Sequence, residues 1–146
     1  MQVAGPINDK QREVPVRIPH LVLAVAATAS ITSAFAEPFG PIHVAANRAM
    51  YKGRGCPIEV IYTASINFIL PHPKGFVFNY HWERSDGAKG ATHVVRPGPH
   101  ERTLVVHEKW KLGGPGQTYD ASATIHLNSG NEHITEASPT VHIECH

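Results

Sequence analysis

The stretch that most constrains this chain is residues 76–87, in which aromatic side chains alternate with other residues before a turn signal. Every second position of its first half is aromatic: Phe76, Phe78, Tyr80 and Trp82. A period of two places all four rings on one face of a β-strand. Asp86 and Gly87 then favour a turn, since both residue types adopt backbone conformations that end a strand. Because an aromatic strand face must be covered by a second layer, this stretch predicts a layered β fold.

The rest of the chain repeats this alternation. Besides residues 76–84, we predict strands at residues 42–50, 57–69, 91–96, 101–112, 117–127 and 140–145. Turns rich in glycine and proline separate many of them, and residues 128–139 are predicted to form a polar loop. The pattern predicts an all-β fold, an antiparallel β-sandwich of about seven strands. Tyr62, Trp82 and Trp110 fall on inward positions, so we expect them in the core rather than on a sugar-binding surface.

Residues 1–36 contain the three parts of a secretory signal peptide in order. A polar segment with three basic residues precedes an uncharged apolar run at residues 21–34, and an Ala-Phe-Ala cleavage site ends at Ala36. We expect cleavage after Ala36, which leaves residues 37–146 as a single domain. The alternative is an uncleaved membrane anchor, although the apolar run is shorter than the ~20 residues that span a bilayer.

The predicted mature chain carries no net formal charge. Residues 1–36 hold three of the 13 basic and two of the 12 acidic residues, so ten of each remain. Nucleic acids and anionic membranes favour a basic surface, so we expect no nucleic-acid partner and no membrane partner after signal cleavage.

Both cysteines, Cys56 and Cys145, lie in the predicted mature part. An exported chain with two cysteines predicts one disulfide, and two free buried thiols are the alternative. We therefore expect a secreted, periplasmic or cell-surface location.

Three motifs resemble those of small exported bacterial domains with an immunoglobulin-like fold. They are Y-x-W-x-R-S-D-G-A, a later Trp-x-Leu-Gly, and a closing strand that ends in cysteine. The matching positions are Tyr80, Trp82, Arg84, Ser85, Asp86, Gly87, Ala88, Trp110, Leu112, Gly113 and Cys145. Trp82 also matches the core tryptophan of the immunoglobulin fold, and Tyr119 matches its tyrosine corner. The resemblance implies the fold and export, but no activity.

The chain departs from antibody domains in its cysteines. Ala121 stands where their sixth strand has a cysteine, and Cys56 lies at the start of the second predicted strand. In the immunoglobulin-like arrangement, that start lies at the pole where the seventh strand ends. The resemblance therefore implies that a Cys56–Cys145 bond links the layers at one pole rather than at the centre of the core.

Three histidines fall on outward positions of strands that are neighbours in the implied sheet: His81, His126 and His142. Three imidazoles on one face could hold Zn²⁺ or Cu²⁺. Counting along the strands puts His126 and His142 near opposite poles of the sandwich. Only His81 and His142 are therefore expected to lie at the same position along the strand direction. We expect solvated surface histidines and no cofactor here, with a metal site at His81 and His142 as the alternative.

The other polar cluster is Arg84, Ser85 and Asp86, directly after the aromatic strand. It predicts either a ligand-binding loop, since sandwich loops commonly carry recognition, or a turn held by Asp86 and Gly87. The sequence contains neither a G-x-S-x-G elbow nor a phosphate-binding loop, so we do not expect an enzyme.

Two functional classes follow. The first is a secreted, non-enzymatic immunoglobulin-like module that is structural or binds an unknown protein or glycan. The alternative is a small exported protein that binds Zn²⁺ or Cu²⁺ through surface histidines. A close histidine cluster would favour metal binding, whereas scattered histidines and a continuous apolar outer patch around Val105 would favour the first class.

Overall fold

The structure is a computed structural model that describes residues 38–130 and 132–146, so the predicted signal peptide, residues 1–36, lies outside the described residues. The strands are β1 (Phe39–Ala46), β2 (Met50–Gly53), β3 (Ile58–Phe68), β4 (Phe78–Arg84), β5 (His93–Val95), β6 (Thr103–Leu112), β7 (Thr118–Ala121), β8 (Ala123–Ser129), β9 (Glu132–Ala137) and β10 (Val141–Cys145). In this part of the chain, no helix has the length and hydrophobicity needed to cross a membrane.

The strands form a two-layered β-sandwich with an immunoglobulin-like arrangement. One layer is a sheet of order β1-β3-β6, and the other contains sheets of order β5-β4-β8-β9 and β2-β10-β7. All pairs are antiparallel except β2 with β10. Only Ser122 separates β7 from β8, and residues 138–140 separate β9 from β10, so the second layer contains one interrupted hairpin. With each interrupted strand of this hairpin counted once, the described residues form eight strands, close to the about seven that the sequence predicts.

The core lies between the layers and follows the predicted alternation. In β3, every even-numbered residue from Ile58 to Phe68 is buried, because successive side chains of a strand point to opposite faces. Tyr62 and Trp82 are buried, as the sequence predicts. Trp110 is only partly buried; it packs against the core from β6, an edge strand of its sheet.

The strand predicted at residues 42–50 is wrong in its extent. The structure divides it, since β1 pairs with β3 in one layer and β2 pairs with β10 in the other. Between them, the Asn47 N–H donates to the Ile61 carbonyl at 2.9 Å, and the Asn47 side-chain oxygen accepts the Ile61 N–H at 3.0 Å. The chain changes layer directly after this anchor. Residue alternation does not reveal the change, because both segments are half-exposed edge strands.

The polar loop predicted at residues 128–139 is also wrong. β8 continues to Ser129, Gly130 turns the chain with a φ of 59°, and β9 then pairs with β8. β9 lies at the edge of its sheet, and only Ile134 packs against the core. A strand with so little buried surface lacks the apolar periodicity by which strands are recognised.

One pole of the sandwich is held by the Cys56–Cys145 disulfide, as the sequence predicts. The two Cα atoms are 6.1 Å apart, and the bond joins the segment before β3 to the end of β10. Gly113 packs against this bond from the turn between β6 and β7. Its φ is 100°, and an added Cβ would lie 2.5 Å from the Cys145 Sγ, so only glycine fits here.

The opposite pole is held by aromatic rings. Phe39, Phe68, Phe76 and Phe78 contact one another, and the ring centroids of Phe39 and Phe78 are 5.2 Å apart at an interplanar angle of 88°. Edge-to-face contacts of this kind stabilise beyond the burial of area alone. The aromatic stretch at residues 76–82 therefore contributes both to this pole and, through Trp82, to the middle of the core.

We expect Tyr62→Phe to raise the free energy of unfolding by about 1 kcal/mol. The Tyr62 ring is fully buried, and its hydroxyl has no hydrogen-bond partner among the described residues. Burial also raises the pKa of Tyr62 to about 12. Urea unfolding at neutral pH measures the change. Tyr119→Phe is the control, because its hydroxyl donates to Gln117 and its removal brings no such gain. A destabilised Tyr62→Phe variant would contradict the expectation.

Candidate metal site on the outer sheet face

The pairing of β4 with β8 brings two outward histidines side by side. His81 and His126 are direct partners in this ladder, and their rings stack with centroids 4.7 Å apart at an interplanar angle of 4°. Directly opposed residues of an antiparallel pair have Cβ atoms about 5 Å apart, which is the distance that stacked imidazoles need. The register of two strands therefore forms the histidine pair.

Glu83 completes the group. It lies two residues after His81 on β4 and therefore on the same face. Its Oε2 atom is 3.5 Å from the Nε2 atom of His126. One potential ligand atom from each of His81, Glu83 and His126 lies within 4.8 Å of the other two, and no other such group of three occurs among residues 38–130 and 132–146. All three side chains are partly buried, so they are held by their surroundings but open to solvent.

His81 and His142, the pair that the sequence leaves as the alternative metal site, each have another partner. His142 is the partner of Asp120 in the β7–β10 ladder, and its Nδ1 atom is 2.7 Å from the Asp120 carboxylate. The sequence count correctly separates His126 from His142, but it does not show that His81 lies opposite His126. The cause is the register between β4 and β8, which depends on contacts between strands and cannot be counted along either one.

The surroundings lower the pKa of His126. Partial burial is the largest cause, followed by the neighbouring His81; Glu83 acts in the opposite direction, and His133 and Lys89 add smaller decreases. A lowered pKa favours the neutral imidazole near neutral pH. Neutral imidazole is the form that binds metal ions.

Lys89 lies next to Glu83 on the side of β4 that faces away from β8. It forms an isolated bridge opposite Glu83, and its Nζ atom is 3.3 Å from Glu83 Oε2. The Glu83 carboxylate therefore lies between an imidazole on one side and an ammonium group on the other. The spacing of two residues places Glu83 on the same face as His81, but the presence of His126 and Lys89 beside it depends on the pairing of β4 with β8 and on the turn after β4.

The Arg84–Asp86 cluster forms a turn. The Asp86 carboxylate accepts the Ala88 N–H at 2.9 Å, and the Ser85 hydroxyl accepts the Ser122 N–H at 3.1 Å. Arg84 contacts Asp86 at 3.5 Å and lies over the Trp110 ring, 4.8 Å from its centroid. Ser85 and Asp86 also line an open cleft of about 440 Å³ together with Trp110 and Tyr119. The contacts agree with the turn interpretation, whereas ligand binding by this turn stays a prediction.

The exposed apolar residues do not form one outer patch. The large exposed side chains among the described residues are Met50, Ile69, Val94 and Val105. They belong to β2, the end of β3, β5 and β6, which lie in different parts of the sandwich. Single exposed apolar side chains are normal on protein surfaces.

Comparisons with known proteins identify no family. No protein-family model matches the chain, and no curated protein matches it. Similar folds occur among solved structures. One is the CARDB domain of a Pyrococcus furiosus protein, solved in complex with di-metal ions; it is 13% identical, with a TM-score of 0.44, and the match covers 74% of this chain and 90% of that one.

A second similar structure is an alkylpurine DNA glycosylase from Pseudomonas fluorescens, solved bound to DNA that contains an abasic site analogue. It is 13% identical with a TM-score of 0.36, and the match covers 71% of this chain but only 30% of the glycosylase. Similarity at this level carries no argument about activity or ligands. The functional argument therefore depends on this chain's own residues.

Proposed function

We propose that this chain is an exported, non-enzymatic immunoglobulin-like module that binds a divalent transition metal, Zn²⁺ or Cu²⁺, through His81, Glu83 and His126. The observation that carries the proposal is the convergence of three potential ligand atoms within 4.8 Å of one another. Ligand atoms that share one ion at about 2.0–2.2 Å from it lie roughly 3–4 Å apart. Binding would require the stacked, parallel rings of His81 and His126 to rotate apart, because each imidazole binds a metal ion in its own ring plane.

The chemistry of the three donors supports Zn²⁺ and Cu²⁺ over Mg²⁺ or Ca²⁺. Two imidazoles and one carboxylate suit transition metals, whereas Mg²⁺ and Ca²⁺ favour sites made of oxygen atoms alone. The arrangement also suits a rigid site, because His81 and Glu83 lie on one strand and His126 lies on its paired neighbour. Strand-borne ligands are held more precisely than ligands on loops.

Two observations support a non-enzymatic, exported module. The three donors lie on a partly exposed sheet face, whereas catalytic sites commonly exclude water from an enclosed space. The Cys56–Cys145 disulfide is typical of proteins in oxidising compartments, which agrees with the predicted signal peptide. The scattered exposed apolar residues favour metal binding over a broad protein-binding surface.

A second candidate function is the binding of a protein or glycan by the turn at Arg84, Ser85 and Asp86. The cleft beside this turn supports it, because Trp110 and Tyr119 supply aromatic surface and Asp86 supplies a carboxylate. Binding sites for small ligands combine apolar walls with a few polar groups in this way. The turn directly follows Glu83, and Arg84 and Ser85 also line a second cleft with Glu83 and His126. Substitutions of Trp110 or Tyr119, which line only the first cleft, therefore test this function separately.

Titration of the purified exported protein with Zn²⁺ and Cu²⁺ tests the proposal. We expect one ion per chain with a micromolar dissociation constant, measured by calorimetry at neutral pH. His126→Gln is expected to weaken binding at least about tenfold, because it removes one of three ligands. Binding is also expected to be lost at about pH 5, where imidazoles are protonated.

His142→Gln is the matched control. His142 is also an outward histidine of the second layer and also contacts a carboxylate, that of Asp120. It lies outside the cluster, so its substitution is expected to leave metal binding unchanged. Absence of stoichiometric binding, or an equal loss in the two variants, would rule out the His81–Glu83–His126 site.

A further inference from the structure

The turn after β4 holds Lys89 opposite one proposed metal ligand. The Arg84 N–H donates to the Ala88 carbonyl at 2.9 Å, and the Gly90 N–H donates to the Trp82 carbonyl at 2.8 Å. Gly87 has a φ of 84°, a conformation that glycine adopts without strain. These bonds turn the chain back along β4, so that Lys89 forms an isolated antiparallel β-bridge with Glu83. The turn formed by the R-S-D-G motif therefore places the backbone of Lys89 beside that of Glu83.

Lys89 and a bound metal ion would compete for the same carboxylate. The Lys89 Nζ atom is 3.3 Å from Glu83 Oε2, and this same oxygen is 3.5 Å from the Nε2 atom of His126. A metal ion bridging Glu83 and His126 would lie close to that ammonium group. A dication and a nearby ammonium group repel each other, which favours movement of the Lys89 side chain away from Glu83 when an ion binds.

We propose that Lys89 is a built-in competitor that occupies Glu83 when no metal is bound and thereby sets the affinity of the site. This inference rests on the proposed function. The lysine side chain is long and largely exposed, with 64% of its surface accessible, so it can move into solvent when an ion arrives. Metal binding then exchanges one cation for another at the carboxylate.

Substitution of Lys89 tests the competition. Lys89→Met removes the charge but keeps a long side chain, and we expect it to tighten Zn²⁺ and Cu²⁺ binding about three- to fivefold. Lys89→Arg keeps the charge and is expected to bind metal like the unsubstituted protein. A tightening in both variants would show that the side chain's packing, and not its charge, matters, and would overturn the proposal.

A double-mutant cycle with Glu83 separates direct competition from a general effect of surface charge. In a Glu83→Gln background, Cu²⁺ still has two imidazole ligands, but Lys89 has lost its carboxylate partner. We expect Lys89→Met to change Cu²⁺ affinity there by less than about twofold. A change as large as in the unsubstituted background would mean that Lys89 acts through long-range repulsion alone, and the competitor role would fail.

Amine labelling supplies a readout that does not depend on affinity. Partial acetylation followed by mass spectrometry should show that Zn²⁺ increases the reactivity of Lys89, because the ion releases it from Glu83. Lys109 is the matched control, since its side chain is also 64% accessible and also contacts a glutamate, Glu59, at 3.7 Å. Its reactivity should not change.

The outcomes distinguish the two proposals. If the unsubstituted protein binds metal but Lys89→Met binds no more tightly and Lys89 labelling is constant, the competitor role is wrong and the metal site stands. If neither the unsubstituted protein nor Lys89→Met binds Zn²⁺ or Cu²⁺, the metal site and its competitor are both overturned.

Discussion

Removal of the Cys56–Cys145 disulfide is expected to lower the free energy of unfolding by about 4 kcal/mol. The bond joins residues 89 positions apart, so its loss gives the unfolded chain much more conformational freedom. The bond also closes one pole, where Gly113 packs against both sulfur atoms. Urea unfolding with and without reductant measures the effect as a shift of the midpoint.

The control is a variant with both Cys56 and Cys145 replaced by alanine. Its midpoint should be low and should not respond to reductant, because it has no bond to reduce. If reductant leaves the midpoint of the unsubstituted protein unmoved, the two cysteines are not paired in solution. The description of this pole would then be wrong.

Trp82→Ala is expected to cost about 3–5 kcal/mol, because it leaves a large cavity between the two layers. Trp82 is 2% exposed and lies on β4, directly opposite Ile125 of β8. Urea unfolding again measures the cost. Trp82→Phe is the control: it keeps an aromatic ring and removes only part of the volume, including an indole N–H that has no hydrogen-bond partner among the described residues. It should therefore cost much less. A neutral Trp82→Ala variant would contradict the assignment of Trp82 to the core.

The costs of the two changes should add, because one acts in the middle of the core and the other at a pole. Domains of this size are stable by only about 5–15 kcal/mol in total. We therefore expect reduced Trp82→Ala to be largely unfolded at 25 °C, whereas each single change leaves a folded protein that unfolds at lower urea. A folded double variant would show that the two sites are coupled or that one cost is much smaller.

The aromatic alternation at residues 76–82 predicts a strand with Trp82 in the core, and the structure confirms both. The same reasoning identifies the inward face of β3 and the turn at Asp86 and Gly87. It fails for β9, whose side chains are mostly exposed, and for the change of layer after Asn47. The correct predictions depend on the side-chain alternation within one strand, whereas the incorrect ones depend on contacts between strands. Alternation reports which face of one strand is buried, but not which strand lies beside it.

The candidate site shows the same division more sharply. The outward positions of His81, His126 and His142 follow from their own strands, because neighbouring side chains of a strand point to opposite faces. Which two of them meet does not follow. The structure pairs His81 with His126 and gives His142 to Asp120. A shift of register along β4 would change every partner and leave the alternation of the individual strands intact.

The amino-acid sequence by itself determined the β-sandwich class, the buried face of each clear strand and the cysteines that pair. These depend on strand geometry that each segment carries alone and on there being only two cysteines. Tertiary structure alone decided that Glu83 stands between His126 and Lys89. The register of β4 against β8 brings His126 to Glu83, and it results from contacts between segments that are distant in the sequence. The turn from Arg84 to Ala88 brings Lys89 to Glu83, and it results from the chain folding back on itself.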